Sequence, residues 1–122
     1  MDVRNQPTCA HKAKLLITEN NQVCERVLEG QQEWKIGRFS LTSPNVPDII
    51  LTNRFVARQQ GSIREINGEC FYIESPLSTN RAIHNGTAVS WPLNAIPLKD
   101  GDTLRIGNDD NSTCLVFKTT ID

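Results

Sequence analysis

Three short stretches of this sequence concentrate side chains that could grip a polar ligand. Ser78-Thr79-Asn80-Arg81-Ala82-Ile83-His84-Asn85-Gly86 sets hydroxyls, amides and a glycine between two strand-like runs. Such a segment is a built loop, because its side chains fold back on the backbone and Asn and Gly tolerate left-handed dihedrals. Gly37-Arg38 closes an earlier run, and residues 54–60 carry Arg54 and Arg58 with no acid between Ile49 and Ser62. Together the three read as a ligand-binding rim held by the rest of the chain. Catalysis finds less support. His11 and His84 are far apart in sequence, no Ser or Cys sits in a nucleophile-elbow setting, and no carboxylate pair has motif context. Cys9 and His11 would make half a metal site, but Cys24, Cys70 and Cys114 lack finger or ribbon spacing. The reading is of no enzyme, no metal and no cofactor.

The composition sets the frame for that rim. The 122 residues suit one domain, large enough to bury roughly two-thirds of its unfolded surface. The net charge is −1 and the charged residues are dispersed, which speaks against nucleic acid as a partner, since that would call for a basic stripe. No apolar core follows Met1 to Gln6, so no export signal is read there, and no run approaches the length of a membrane span. A cytoplasmic protein with free thiols at its four cysteines is expected. Asn85-Gly86-Thr87 and Asn111-Ser112-Thr113 then read as turns and not as glycosylation sites.

Short apolar runs bounded by turn residues predict strands at 13–19, 33–38, 48–52, 61–66, 69–74, 87–91, 102–107 and 113–119. Residues 23–30 fit either helix or strand, and their brevity before Gly30 favours strand. Asn67-Gly68 between two such runs is a strong hairpin signal, because a type I′ turn needs positive φ at both positions. Residues 75–86 read as one loop and 92–101 as a connection. Phe55 and Val56 are expected to turn inward, and Trp34 and Trp91 to pack in the core or rim. All six prolines fall between runs, where the missing N–H does no harm. Residues 1–12 read as a loose arm and 13–120 as the domain. The class is all-β, a sandwich or barrel of about ten short strands.

Four blocks in order resemble the forkhead-associated (FHA) domain. Ile36-Gly37-Arg38 is similar to its I-G-R. Val56-Ala57-Arg58-Gln59-Gln60-Gly61-Ser62-Ile63 occupies the place of its S-x-x-H-A-x-I. Ser78-Thr79-Asn80 followed by Asn85-Gly86 looks like its S-T-N-G-T-x-V-N-G loop. Leu98-Lys99-Asp100-Gly101-Asp102-Thr103-Leu104-Arg105-Ile106-Gly107 is similar to its L-x-D-G-D-x-I-x-I-G. The resemblance implies an all-β, two-sheet FHA/SMAD-like sandwich of about ten to eleven short strands, whose loops at one end bind phosphothreonine peptides. The implied partner is a phosphorylated protein, a Ser/Thr kinase or its substrate.

A phosphothreonine reader needs a fixed cation and several neutral donors, because charge-assisted hydrogen bonds are roughly twice as strong as neutral ones. By resemblance Arg38 is the phosphate arginine, Thr79 touches phosphate, and Asn80 holds the peptide backbone, with Ser78 on the same edge. Gly37, Asn85, Gly86, Asp100 and Gly101 match structural motif positions. The departures are informative. Ala57 stands where the family has a phosphate-contacting Ser, a loss worth about 1.5–3 kcal/mol. Arg58 beside it is positioned to replace that contact or to remain a surface arginine. Gln60 stands at the structural His and still donates and accepts. Arg81 and Ala82 replace Gly-Thr, removing the loop's usual internal bracing, with Arg81 facing either ligand or water. The alternative is a degenerate FHA fold that binds a partner independently of phosphate.

Overall fold

A computed structural model describes residues 11–42, 44, 46–89, 95–108 and 111–121. Eleven strands and no helix are found among them: β1 (His11–Glu19), β2 (Gln22–Leu28), β3 (Glu33–Arg38), β4 (Ile49–Leu51), β5 (Gly61–Ile66), β6 (Glu69–Glu74), β7 (Ile83–His84), β8 (Thr87–Ala88), β9 (Ile96–Pro97), β10 (Thr103–Gly107) and β11 (Ser112–Ile121). They form two sheets, one ordered β2-β1-β11-β10-β7-β8 and the other β4-β3-β5-β6-β9. The chain is all-β, as its short runs and turn signals predict, and of the sandwich or barrel they allow it is the two-sheet sandwich that the resemblance implies.

Period-two alternation explains which residues meet between the sheets. Leu15 and Ile17 of β1, Leu104 and Ile106 of β10, and Leu115 and Phe117 of β11 point inward from one sheet. Trp34, Ile36, Ile49, Leu51, Ile63 and Tyr72 meet them from the other. Val56 is buried and Phe55 half-buried, as their apolar character suggests. Of residues 23–30, those to Leu28 lie in strand β2 at a sheet edge, with Val23 68% and Val27 45% exposed, and Glu29 and Gly30 lie beyond its end. Trp34 is a core residue, while Trp91 lies outside the described residues.

Three hairpins use two-residue turns with positive φ at both positions: Asn20-Asn21, Asn67-Gly68 and Asn85-Gly86. The third corrects the single loop expected over 75–86. That stretch divides into a loop at 75–82 and the β7–β8 hairpin, so Asn85 and Gly86 point away from the rim. The predicted strand over 87–91 is a strand at Thr87–Ala88 only, and the connection 92–101 contains β9. β1 begins at His11, and the residues before it lie outside the described set.

β3 runs parallel to β4 and antiparallel to β5, and β6 returns alongside β5. This places the loop residues 39–42 with the loops 52–60 and 75–82 at one end of the sandwich. Cys24, Cys70 and Cys114 are free thiols. Burial, with a smaller contribution from Glu65, pushes the Cys70 thiol up to about 11, which keeps it protonated and unreactive.

Candidate functional site

The loop 52–60 is fastened from below. Glu19, at the end of β1, accepts from the Thr52 N–H at 2.9 Å, the Thr52 hydroxyl at 2.8 Å, the Asn53 N–H at 2.9 Å and the Thr113 hydroxyl at 2.7 Å. Burial alone would raise this carboxyl, but those donors outweigh it and hold it below the ordinary value. Buried Asn53 adds a side-chain bond to the Asn111 carbonyl and accepts from the Phe55 N–H. One carboxylate thus ties both sheets to the base of the loop.

Gly37 lets that loop close onto β3. A Cβ here would lie 2.0 Å from the Arg58 carbonyl oxygen, so only glycine admits the approach. The contact is completed by the Arg38 N–H donating to the Ala57 carbonyl at 3.1 Å and by the Gln60 N–H donating to the Ile36 carbonyl at 2.9 Å. Arg38 is half-buried, and its Nε donates to the Val56 carbonyl at 3.0 Å. That bond fixes the plane of the guanidinium and leaves the two terminal nitrogens as a fork. Among the described residues no carboxylate pairs with it.

Gln60 joins the two loops that flank Arg38. It is fully buried, its Oε1 accepts from the Ala57 N–H at 2.9 Å, and its Nε2 donates to the Asn80 carbonyl at 2.9 Å. Asn80 reaches back, donating from Nδ2 to the Phe55 carbonyl at 2.9 Å. These bonds cross between loops about twenty residues apart and fix their spacing.

The loop 75–82 rests on a buried carboxylate. Glu74 accepts from the Tyr72 hydroxyl, from the Ser78 hydroxyl at 2.9 Å and from the Ala82 N–H at 3.1 Å. Burial first, then the Glu74 charge, pushes the Tyr72 phenol well above its ordinary range, so it remains a donor. Ala82 is fully buried over this carboxylate. The bracing that the Arg81-Ala82 pair was expected to lack is therefore supplied from below by Glu74. Ser78 belongs to the same support, because its one hydroxyl proton goes to Glu74 and not to the rim's outer face.

Thr79 and Asn80 are exposed beside this frame, as is Arg58. The Arg54 guanidinium lies over the Phe55 ring at 5.2 Å, and Arg81 donates to the Val89 carbonyl at 3.2 Å. Ala57 contributes only backbone. Of the positions singled out in the sequence, Arg38, Arg58, Gln60, Ser78, Thr79, Asn80 and Arg81 meet at this end. Asn85, Gly86, Asp100 and Gly101 lie at the other. There Asn85 bonds Asp102 and the Thr103 N–H, His84 lies 3.0 Å from Asp102, and Asp100 accepts from the Thr119 N–H. His84 is a strand residue and not part of the rim. Burial would raise the Asp102 carboxyl, but the His84, Lys99 N–H and Asn85 bonds outweigh it and lower it. Among the described residues no three His, Cys, Asp or Glu side chains converge on a metal position.

Sequence reasoning missed Glu19, Asn53 and Glu74. Polar residues at strand ends read as solvent-facing, and their partners are distant in the chain: Glu19 and Thr113 are 94 positions apart. The only sequence signal is that Glu74 opens the polar segment it supports.

The family model for the FHA domain matches residues 34–107. No curated protein matches the chain. Among solved structures, full-length Pml1 of yeast is 22% identical, with 98% of this chain and 87% of that chain covered and a TM-score of 0.77. The N-terminal FHA domain of Rad53p from S. cerevisiae, in complex with a phosphothreonine peptide, is 20% identical, with 91% and 94% covered and a TM-score of 0.72. The FHA domain of CT664 from Chlamydia trachomatis is 18% identical, with 88% and 96% covered and a TM-score of 0.69. At these identities the likeness speaks for the fold.

Proposed function

We propose, from the premise that this chain belongs to the FHA domain family, that its loop rim binds a phosphothreonine peptide. The observation that carries this reading is Arg38. Its guanidinium is half-buried, oriented by the Val56 carbonyl and unpaired with any carboxylate among the described residues. A partly desolvated cation without a counter-charge is costly, and a phosphate dianion supplies that charge in the geometry the fork prefers. Arg58 and Thr79 bring further donors, while Asn80, with one amide N–H on the Phe55 carbonyl, keeps its Oδ1 and second N–H for the peptide backbone. Rad53p, of the same fold, is solved with a phosphothreonine peptide. The family is one of interaction modules. The partner we infer is a phosphorylated protein of a Ser/Thr kinase pathway, in the cytoplasm.

Titration with a phosphothreonine peptide library and its unphosphorylated twin tests the reading. Phosphorylated peptides are expected to bind, and Arg38→Ala to abolish the difference between the libraries. Equal binding of both, or no effect of Arg38→Ala, sinks it.

A second reading is favoured by Ala57, which has no hydroxyl for phosphate, and by Ser78, whose hydroxyl is turned to Glu74. Here the fold is a phosphate-independent scaffold. Ala57→Ser separates a working site from a decayed one. If Arg58 has replaced the hydroxyl, the variant gains little; a gain of about tenfold or more marks decay.

A further inference from the structure

Below the rim, the outer face of the β4-β3-β5-β6-β9 sheet carries a groove of about 340 Å³. Its floor is one cross-strand row, Lys35 opposite Ser62 and Ser62 opposite Ile73. Trp34 and Ile36 face the core, so Lys35 between them faces out. Among the described residues no third layer covers this face, yet Ser62 is only 9% exposed and Ile73 is half-buried. Val46 and Pro76 also line the groove, and Val46 is itself 59% exposed. The upper end is Arg58, whose backbone packs on Gly37 beside Arg38.

The charged groups of this groove are not all paired. Glu33 is paired with Arg64 at 3.1 Å. Glu74 is turned inward to Tyr72, Ser78 and Ala82. Asp48, nearby, accepts from the Lys35 N–H at 2.8 Å. Lys35 and Arg58 have no carboxylate partner among the described residues. Two cations without an ion-pair partner, beside the apolar side chains of Val46, Pro47, Ile73 and Pro76, fit a segment that presents an apolar side chain next to an acidic one.

We propose that this groove is a second docking site for the chain that carries the phosphothreonine, taking an apolar residue with an acidic neighbour from the segment flanking the phosphate. The proposal rests on the phosphothreonine reading for its anchor, and Arg58 stands between the two sites.

The test compares a short phosphothreonine peptide with versions extended by Asp-Leu on either side, and includes the unphosphorylated extended peptide. One extended phosphopeptide is expected to bind about tenfold tighter than the short one. Ser62→Leu, which fills the floor, and Lys35→Glu, which reverses a charge, should each remove that gain and leave the short peptide unchanged. Equal binding of short and extended peptides, or equal weakening of both by the variants, overturns the groove. If phosphorylation makes no difference, the phosphate reading fails, and the groove is then judged by NMR with the unphosphorylated extended peptide. Saturable amide shifts at Ser62 and Ile73 that vanish in Ser62→Leu support it; their absence overturns it.

Discussion

Gln60 and Gly37 show how single residues set the rim, and each supports a prediction. Gln60→Leu keeps the volume but leaves the Ala57 N–H and the Asn80 carbonyl without their buried partners. An orphaned buried group costs about 1–3 kcal/mol, so a loss of about 2–4 kcal/mol in urea denaturation is expected. Faster amide exchange should be confined to residues 54–60 and 78–82. A loss below about 1 kcal/mol would mean that water or a rearranged loop replaces both bonds. Gly37→Ala fails for a different reason. Its Cβ would meet backbone, not the mobile end of a side chain, so the 52–60 loop must lift from β3. A penalty of about 1–3 kcal/mol is expected, together with weakened phosphopeptide binding, because Arg38 loses the Val56 carbonyl that orients it. Full stability with full binding would contradict this geometry.

At the level of elements, the two carboxylates that fasten strands to loops make the fold acid-sensitive. Glu19 and Asp102 both titrate below their ordinary values of 4.5 and 3.8 in the folded chain. A group whose pKa is depressed by folding contributes stability that is complete above its unfolded pKa. That stability is lost as pH falls through the folded value. Urea midpoints should therefore be insensitive to these two groups at neutral pH and decline once pH drops below 4.5. Glu19→Gln should lower stability by about 1–2 kcal/mol at neutral pH and make the acid decline shallower. An unchanged acid limb in that variant would remove Glu19 from the account. Asp102 lies in a motif block readable from the sequence, whereas Glu19 is among the least legible parts of the chain. Asn67-Gly68 announced its hairpin because strands of six residues flank it. The same dipeptide at 85–86 was absorbed into a loop because its strands are two residues each, too short to show alternation. Four spaced motifs made the sandwich and the Arg38 edge readable. Glu19 and Glu74 belong to no local pattern, since their meaning lies in donors brought together only by the fold.

Over the whole molecule, charge is placed unevenly in a way the net value of −1 conceals. Arg38, Arg54, Arg58 and Arg81 sit at the rim with no carboxylate pairing to them among the described residues. Glu29, Glu65 and Glu69 line a cleft at the opposite end. Of the acids nearest the rim, Glu19 and Glu74 are turned inward to backbone and hydroxyl donors, so the charge presented on the rim's outer side is carried by arginine. Fields of this kind act on encounter more than on the lifetime of a complex. For an anionic phosphopeptide the association rate should fall as salt rises, because the Debye length shrinks from about 10 Å at 0.1 M to about 3 Å at 1 M. The acidic net charge alone would give the opposite slope. The arginines should also separate kinetically. Arg54→Gln is expected to slow association a few-fold and flatten its salt dependence, with dissociation unchanged, since its guanidinium rests on Phe55 and acts at a distance. Arg38→Gln removes a fixed contact and should speed dissociation by about tenfold or more. Stopped-flow association and dissociation rates over a salt series decide this. A salt-independent association rate, or equal kinetic signatures for the two variants, would show that the rim does not steer its ligand.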